Sequence, residues 1–279
     1  MSADSAALAR RCGVLGSPIG HSLSPVLHRA AYQALGLDWE YDAHEVTAEE
    51  LPEFLAGLAP AWRGLSLTMP LKRTAIGLCD RVESLGRTLG SINTVLIADD
   101  GARWGYNTDV PGLVKALRAA GVRQIDSAVI VGGGATASSA LAAVGQLGGH
   151  RATVLARSVG RAARLVDLGA TLDVSVAVRG LDALTQVRPA DLVVSTLPAA
   201  GQRALAVEVA ALAPVVFDVV YHPPDTALLA AVEQRGGRAV GGFELLLHQA
   251  ARQVELMTGV AAAPVDAMRS AGLAALSHQ

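Results

Sequence analysis

Polar side chains able to do chemistry gather where short apolar runs end. The first place is Gly16-Ser-Pro-Ile-Gly-His-Ser-Leu-Ser-Pro25, which follows the apolar residues Val14 and Leu15. Ser22 and Ser24 stand in a loop between a strand and a helix start. There they can cap the helix, or donate to a polar ligand at the carboxyl end of a sheet. Ser24 before Pro25 reads as the N-cap itself. His21 raises nucleophilic hydrolysis through either serine as an alternative. The chain has no Gly-x-Ser-x-Gly elbow, and a histidine adjacent in sequence does not easily face its neighbour's hydroxyl. The second place is Ser66-Leu-Thr-Met-Pro-Leu-Lys72. Pro70 suggests another helix start, with Lys72 in the first turn, where the dipole disfavours a cation. Such a lysine is either a solvated surface group or a positioned proton donor. Asn93 in Ser91-Ile-Asn-Thr94 and Asp109 in Asn107-Thr-Asp109 complete the set. Asp109 suits a helix N-cap and equally a carboxylate that orients a hydroxyl.

The later part of the chain offers backbone instead. The apolar run from Ala128 to Val131 enters Gly132-Gly-Gly-Ala-Thr-Ala137; a small-residue helix pattern follows to Leu147, then a second strand over 152–156. Strand, glycine turn, helix and strand in that order are expected of a dinucleotide-binding unit, the alternative being a tight strand-to-helix turn with no ligand. Glycines let the backbone turn sharply and approach a pyrophosphate, and the helix start offers unpaired N–H groups. A chain that holds NAD usually places an acid at the end of the second strand, to bond the ribose 2′-hydroxyl. Here that place holds Arg157 and Ser158, with Arg161 and Arg164 close behind. Guanidinium groups pair bidentately with phosphate, so the expected cofactor is NADP(H).

The elements that must position these residues alternate in type. Residues 39–46 read as a strand, and Thr47-Ala-Glu-Glu50 as a capping box. A strand over 64–68 and a hairpin turning at Asp99-Asp100-Gly101 come next. An apolar helix over 110–120 leads toward the glycine-rich strand and sets a domain boundary at Asp109. Strands over 191–195 and 215–220, a helix over 226–235 and an edge strand over 238–240 continue the alternation. That pattern belongs to an α/β fold with a parallel sheet wound on both faces. Gly241-Gly242 interrupts it before a long helix over 243–258 and a last one to about Leu276.

Composition narrows the classes. In 279 residues the chain is 51% hydrophobic, only 4% aromatic and carries a formal net charge of −2, which gives no electrostatic footprint for nucleic acid. Two cysteines, Cys12 and Cys79, are too few for a disulfide framework and point to a reducing compartment. No apolar run is long enough to span a bilayer, and Arg10-Arg11 lacks the apolar stretch of an export signal. A cytoplasmic location is the expectation. Histidines show no ligand spacing, so no metal site is expected.

These motifs, in this order, resemble the shikimate dehydrogenase family from about Cys12 to Thr258. The resemblance implies a substrate-binding and catalytic domain over 1–109, split in sequence. It further implies a Rossmann-type NADP domain over 110–241 and C-terminal helices over 242–279 that return to the first domain. The activity implied is NADPH-dependent, reversible reduction of 3-dehydroshikimate to shikimate, with quinate or aminoshikimate dehydrogenation and a non-catalytic NADP-binding sensor as alternatives. By position, Lys72 and Asp109 would be the catalytic pair. Ser22 and Ser24 would bond the substrate carboxylate, and Tyr221 would reach the same side. Thr68, Asn93, Asp109 and Gln249 would hold ring hydroxyls. Gly132, Gly133, Gly134, Ala135, Thr136, Arg157, Ser158 and Arg161 would hold the dinucleotide, with Val219 and Gly242 near the nicotinamide. Departures touch the cofactor side most. Ala156-Arg-Ser158 replaces the family's Asn-Arg-Thr, and Ser195-Thr-Leu-Pro198 replaces its usual loop there. Oligomeric state stays open, a homodimer among the alternatives.

Overall fold

The computed structural model describes residues 10–278 and divides into two compact units. One unit runs to Thr108 and resumes at Ala250; the other is Asp109–Gln249.

The first unit opens with β1 (Arg10–Gly16), α1 (Ser24–Ala34), β2 (Trp39–Glu45), α2 (Leu51–Ala56) and β3 (Trp62–Leu67). It continues through β4 (Arg81–Val82), α3 (Ser84–Leu89), β5 (Thr94–Ile97) and β6 (Arg103–Tyr106). The sheet order is β2-β1-β3-β5-β6-β4, with β1 parallel to both neighbours and the β5–β6 hairpin antiparallel. The chain leaves β1 on one side for β2 and comes back on the other for β3. Strand order therefore reverses beside β1, and ligands enter open α/β sheets at the carboxyl ends of such strands. The expected capping box is present: Thr47 N donates to Glu50 Oε2 at 2.9 Å and Glu50 N to Thr47 Oγ1 at 3.4 Å. Leu15, Leu51, Trp62, Leu65, Leu71, Ile92 and Val95 close one face of the sheet.

The second unit carries α4 (Asp109–Ala119), β7 (Ser127–Val131), α5 (Ala135–Gln146), β8 (Arg151–Ala156), α6 (Val159–Ala162) and α7 (Arg164–Thr171). It goes on with β9 (Ser175–Gly180), β10 (Leu192–Ser195), α8 (Ala199–Gln202), α9 (Ala206–Ala210), β11 (Val215–Asp218), α10 (Ala227–Gln234) and β12 (Arg238–Val240). Its six strands are all parallel in the order β12-β11-β10-β7-β8-β9. This is the doubly wound dinucleotide-binding order, and its reversal lies between β7 and β10. Strand β9 is not visible in the sequence. It is a half-exposed edge, Ser-Val-Ala-Val-Arg-Gly, without the continuous apolar run that marks the inner strands.

The long α11 (Gly242–Thr258) begins in the second unit and ends in the first, and α12 (Val265–Leu276) packs on α1. The expected return at residue 242 is the first residue of α11; the division between units falls two turns later. Among the described residues no helix is long and apolar enough to cross a membrane, and no group of three His, Cys, Asp or Glu residues could hold a metal ion.

Candidate functional site

In the first unit, the loops after β1 and β3 are laced together by their backbones. Thr68 N donates to Leu15 O at 2.9 Å and Ser17 N to Met69 O at 3.0 Å. Gly16 makes the approach possible, since a Cβ there would overlap Thr68 Cγ2. Ser22 is half-buried, and its hydroxyl accepts from Ser24 N at 3.3 Å. This corrects the capping assignment. Leu23 occupies the cap position and offers no side-chain bond, Ser24 is the first helical residue, and Pro25 comes directly after it. The serine two residues upstream takes the first orphan N–H, as hydroxyls do in tight turns. Both serines still stand at the positive end of an 11-residue helix.

Lys72 also sits differently from expectation. It lies half-buried in a turn, and the next element is the five-residue 3₁₀ helix Thr74–Leu78 rather than an α-helix. A helix dipole therefore does not act on its ammonium as expected, because so short a 3₁₀ segment sums few peptide dipoles. The backbone instead places it. Leu71 N closes the turn on Thr68 O at 2.9 Å, Ile92 N donates to Lys72 O at 2.8 Å, and Leu67 N donates to Asn93 O at 2.8 Å. Thr68, Lys72 and Asn93 are thereby held on neighbouring strand ends. Asn93 is 1% exposed, and its Oδ1 receives Thr108 N at 2.8 Å, Thr94 Oγ1 at 3.0 Å and Thr108 Oγ1 at 3.1 Å. Asn93 Nδ2 also donates to Thr108 Oγ1 at 2.9 Å, and the backbone N–H on Oδ1, which can only donate, fixes which way the amide faces.

In the second unit, Asp109 is the buried first residue of α4. One turn on, Gly112 lets α4 meet α11: a Cβ there would lie 2.8 Å from Gln249 N. Gln249 is buried, with Nε2 donating to Leu246 O at 2.9 Å. Tyr221 is half-exposed in the loop after β11. Each unit thus holds its own share of the expected substrate residues: Ser22, Ser24, Thr68, Lys72 and Asn93 in the first; Asp109, Tyr221 and Gln249 in the second.

The glycine turn stands at the reversal point of the second sheet. Gly132 has φ +122°, and a Cβ on it would overlap Thr196 Oγ1, whose hydroxyl donates to Val131 O at 3.0 Å. Gly133 lies against Ala162, while a Cβ on Gly134 would meet nothing within 4 Å. Gly134 is also the N-cap of α5 and provides no side-chain cap. Ala135 and Thr136 open that helix. Arg157 and Arg161 are exposed beyond the end of β8, and among the described residues neither has an ion-pair partner. Ser158 caps α6, accepting from Arg161 N at 3.4 Å. An open glycine face, an uncapped helix start and two available guanidinium groups fit a dinucleotide with an extra phosphate.

Two supporting groups escape sequence reasoning. Arg164 donates to Ser138 Oγ at 2.9 Å, Gly133 O at 2.9 Å and Gly134 O at 3.1 Å, so a guanidinium ties down the loop's carbonyls. An arginine soon after Arg157 and Arg161 is the available signal, and in sequence it suggests phosphate only. Asp218 is fully buried at the end of β11 and accepts from Gln202 Nε2 at 2.7 Å, Thr226 Oγ1 at 2.7 Å and Val220 N at 3.2 Å. Burial pushes its carboxyl above the ordinary range against those three donors. Beside it, Gly242 packs directly on the Val219–Val220 backbone and donates from N to Val220 O at 3.1 Å.

A doubly wound sheet with a glycine turn, joined to a second α/β unit whose strand ends carry hydroxyls, an amide and an amine, defines a two-domain nucleotide-dependent dehydrogenase. Known proteins narrow that class. Residues 14–95 match the family model of the shikimate dehydrogenase substrate binding domain, and residues 242–271 that of the shikimate 5′-dehydrogenase C-terminal domain. The NADP(+) shikimate dehydrogenase of Methanosarcina barkeri is 35% identical over 274 residues, covering 95% of this chain and 98% of that protein. The crystal structure of Mycobacterium tuberculosis shikimate dehydrogenase aligns with TM-score 0.88 at 42% identity, over 95% of this chain and 99% of that one. Quinate dehydrogenase from Corynebacterium glutamicum, solved with NAD, aligns with TM-score 0.86 at 28% identity, over 95% and 99%. This chain belongs to the shikimate dehydrogenase family.

Proposed function

We propose that this chain catalyses the NADPH-dependent, reversible reduction of 3-dehydroshikimate to shikimate, a step toward chorismate and the aromatic amino acids. The observation that carries the reading is the lacing of Thr68, Lys72 and Asn93 onto adjacent strand ends, in a chain of this family. When bound, NADPH supplies a hydride to the ring carbonyl carbon. Lys72 delivers a proton to the carbonyl oxygen as negative charge develops there. Asp109 accepts a hydrogen bond from the hydroxyl being formed. Ser22 and Ser24 donate to the ring carboxylate, aided by the positive end of α1, and Tyr221 serves the same group. Thr68, Asn93 and Gln249 hold the remaining hydroxyls.

On the cofactor side, the N–H groups around Gly132–Thr136 receive the pyrophosphate, Arg157 and Arg161 the 2′-phosphate, and Ser158 orders their turn. Val219 and Gly242 bound the nicotinamide position. In this reading residues 1–109 and the C-terminal helices serve the substrate, and 110–241 the cofactor. A homodimer and a cytoplasmic location complete it, the first open to light scattering.

Likeness to a quinate dehydrogenase solved with NAD favours a second reading, quinate oxidation with NAD. Steady-state oxidation of shikimate and of quinate, each with NADP⁺ and with NAD⁺, separates the two. The highest kcat/KM is expected for shikimate with NADP⁺; a higher value for quinate, or for NAD⁺, would replace this proposal with the second.

A further inference from the structure

Behind Asn93 lies a buried polar chain that the proposed reaction does not use. It joins α1, β2, β3, β5 and α11 within the first unit. Gln253 is 1% exposed, and its Nε2 donates to Asn93 O at 3.1 Å and to Thr94 Oγ1 at 3.0 Å. Asn93 O is a carbonyl and can only accept, so the amide cannot be turned round. Gln253 Oε1 must then face the other way. There it accepts from Ser66 Oγ at 2.9 Å, and Ser66 Oγ in turn accepts from Tyr41 O–H at 2.6 Å. His28 Nε2 lies 3.4 Å from the same Oε1, which sets its tautomer with the proton on Nε2 and leaves Nδ1 to accept from Tyr32 O–H at 3.4 Å. Burial pushes the His28 pKa down to about 3, so the ring is a neutral donor, stacked on Tyr41 with centroids 3.9 Å apart.

Every proton in this chain therefore points one way. Tyr41 donates to Ser66, Ser66 and His28 to Gln253, Gln253 to Thr94, and Thr94 Oγ1 to Asn93 Oδ1 at 3.0 Å. The Thr94 hydroxyl accepts from Gln253 on one lone pair, and because the Asn93 amide oxygen can only accept, the hydroxyl proton points to it. Bonds aligned in this way strengthen one another in a dry interior. We infer that Gln253 is a positioning residue for the substrate: through Thr94 and the Asn93 carbonyl it reinforces, together with Thr108 N, the direction in which Asn93 presents its amide. This rests on Asn93 holding a ring hydroxyl, as proposed above.

The test measures KM for shikimate and for NADP⁺, with kcat, in Asn93→Ala, Gln253→Met, Thr94→Val and Thr94→Ser. Gln253→Met, of similar volume but with no amide, should raise shikimate KM about tenfold and leave NADP⁺ KM unchanged. Thr94→Val should move shikimate KM the same way by a smaller factor, and Thr94→Ser, which keeps the hydroxyl, should restore it. Native shikimate KM in folded Gln253→Met, or shikimate and NADP⁺ KM values rising together, would overturn the inference. If Gln253→Met does not fold, the Thr94 pair decides: Thr94→Val at native shikimate KM overturns it. Asn93→Ala keeps the two claims apart. An unchanged shikimate KM there removes Asn93 from the substrate site; a raised one beside a native Gln253→Met removes only Gln253.

Discussion

Each sheet reverses its strand order beside its first strand, and the two crevices so made are lined by different kinds of group. In the second unit the lining is backbone: Gly132 at φ +122°, Gly134 open on its side-chain face, and the uncapped start of α5. In the first unit the lining is side chain, and those side chains are braced from below. Ser66, Asn93 and Thr94, with the Tyr41 hydroxyl and with His28 and Gln253 from the helices, are all buried and bonded, against an apolar cluster that includes Leu15, Leu65 and Val95. A pyrophosphate carries its charge on equivalent oxygens, so N–H groups and a helix end suffice to hold it. A ring bearing several hydroxyls must be distinguished from its near relatives, which demands donors and acceptors of fixed direction. Fixed direction requires buried partners, because a buried polar group left unbonded costs about 1–3 kcal/mol. On the proposed reading, the same topological device serves a generic ligand with few polar side chains and a specific one only with a polar interior.

That contrast can be broken most forcefully at Lys72. Lys72→Ala should lower kcat about 10²–10⁴-fold, the range for a positioned acid or base, while shikimate KM moves far less. Near-normal kcat with a large rise in KM would make it a binding residue. On the other side, Arg157→Ala should raise NADP⁺ KM by about 10- to 150-fold, the worth of a charge-assisted bond of roughly 1.5–3 kcal/mol, with shikimate KM constant. Unchanged NADP⁺ KM would sink the assignment of the 2′-phosphate to Arg157. Gly132→Ala tests whether backbone alone shapes the second crevice. The added methyl has neither the φ nor the space it needs beside Thr196, so thermal unfolding should show a loss of about 1–3 kcal/mol. Stability equal to the parent would show that the turn can relax.

The smallest effect concerns pH. Asp191 accepts Asp126 N and Ser127 N, each at 2.9 Å, and these bonds hold its carboxyl below the ordinary carboxylate value. Its stabilisation is therefore present above the unfolded-state pKa and fades as pH falls through the lowered one. Asp191→Asn should flatten the acid limb of the stability–pH curve and leave alkaline unfolding unaltered. An identical acid limb in the variant would remove the group from the account.

Much of this arrangement can be read along the chain because its signals are local. Glycines after an apolar run, a serine before a proline and an arginine where an acid is customary each act within a few residues. Local signals also mislead. Pro70 suggests an α-helix where a turn and a 3₁₀ segment stand, and Ser24 suggests a cap where Ser22 supplies the bond. Turn geometry there is decided by bonds to Ile92 and Met69, which no short window contains. Gln253 is invisible for the same reason. Its partners Asn93 and Ser66 are 160 and 187 residues away, and a glutamine on a helix is ordinarily a solvated residue. Arg164 has the right composition and the wrong expected partner, since only the folded loop shows its carbonyls within reach.

The division of the chain has a further consequence for how it is made. The second unit is one continuous stretch, so a growing chain holds all of it once Gln249 has emerged. The first unit is begun earlier and finished later. Its strands are complete by Tyr106, but Asn93, Thr94 and Ser66 lack their common partner until residue 253 is available. At a synthesis rate of about 5–20 residues per second, that wait lasts on the order of ten seconds, long against the folding time of a small domain. Throughout it the half-built first sheet must keep its polar interior wet, so the portion synthesised first is the last to become native.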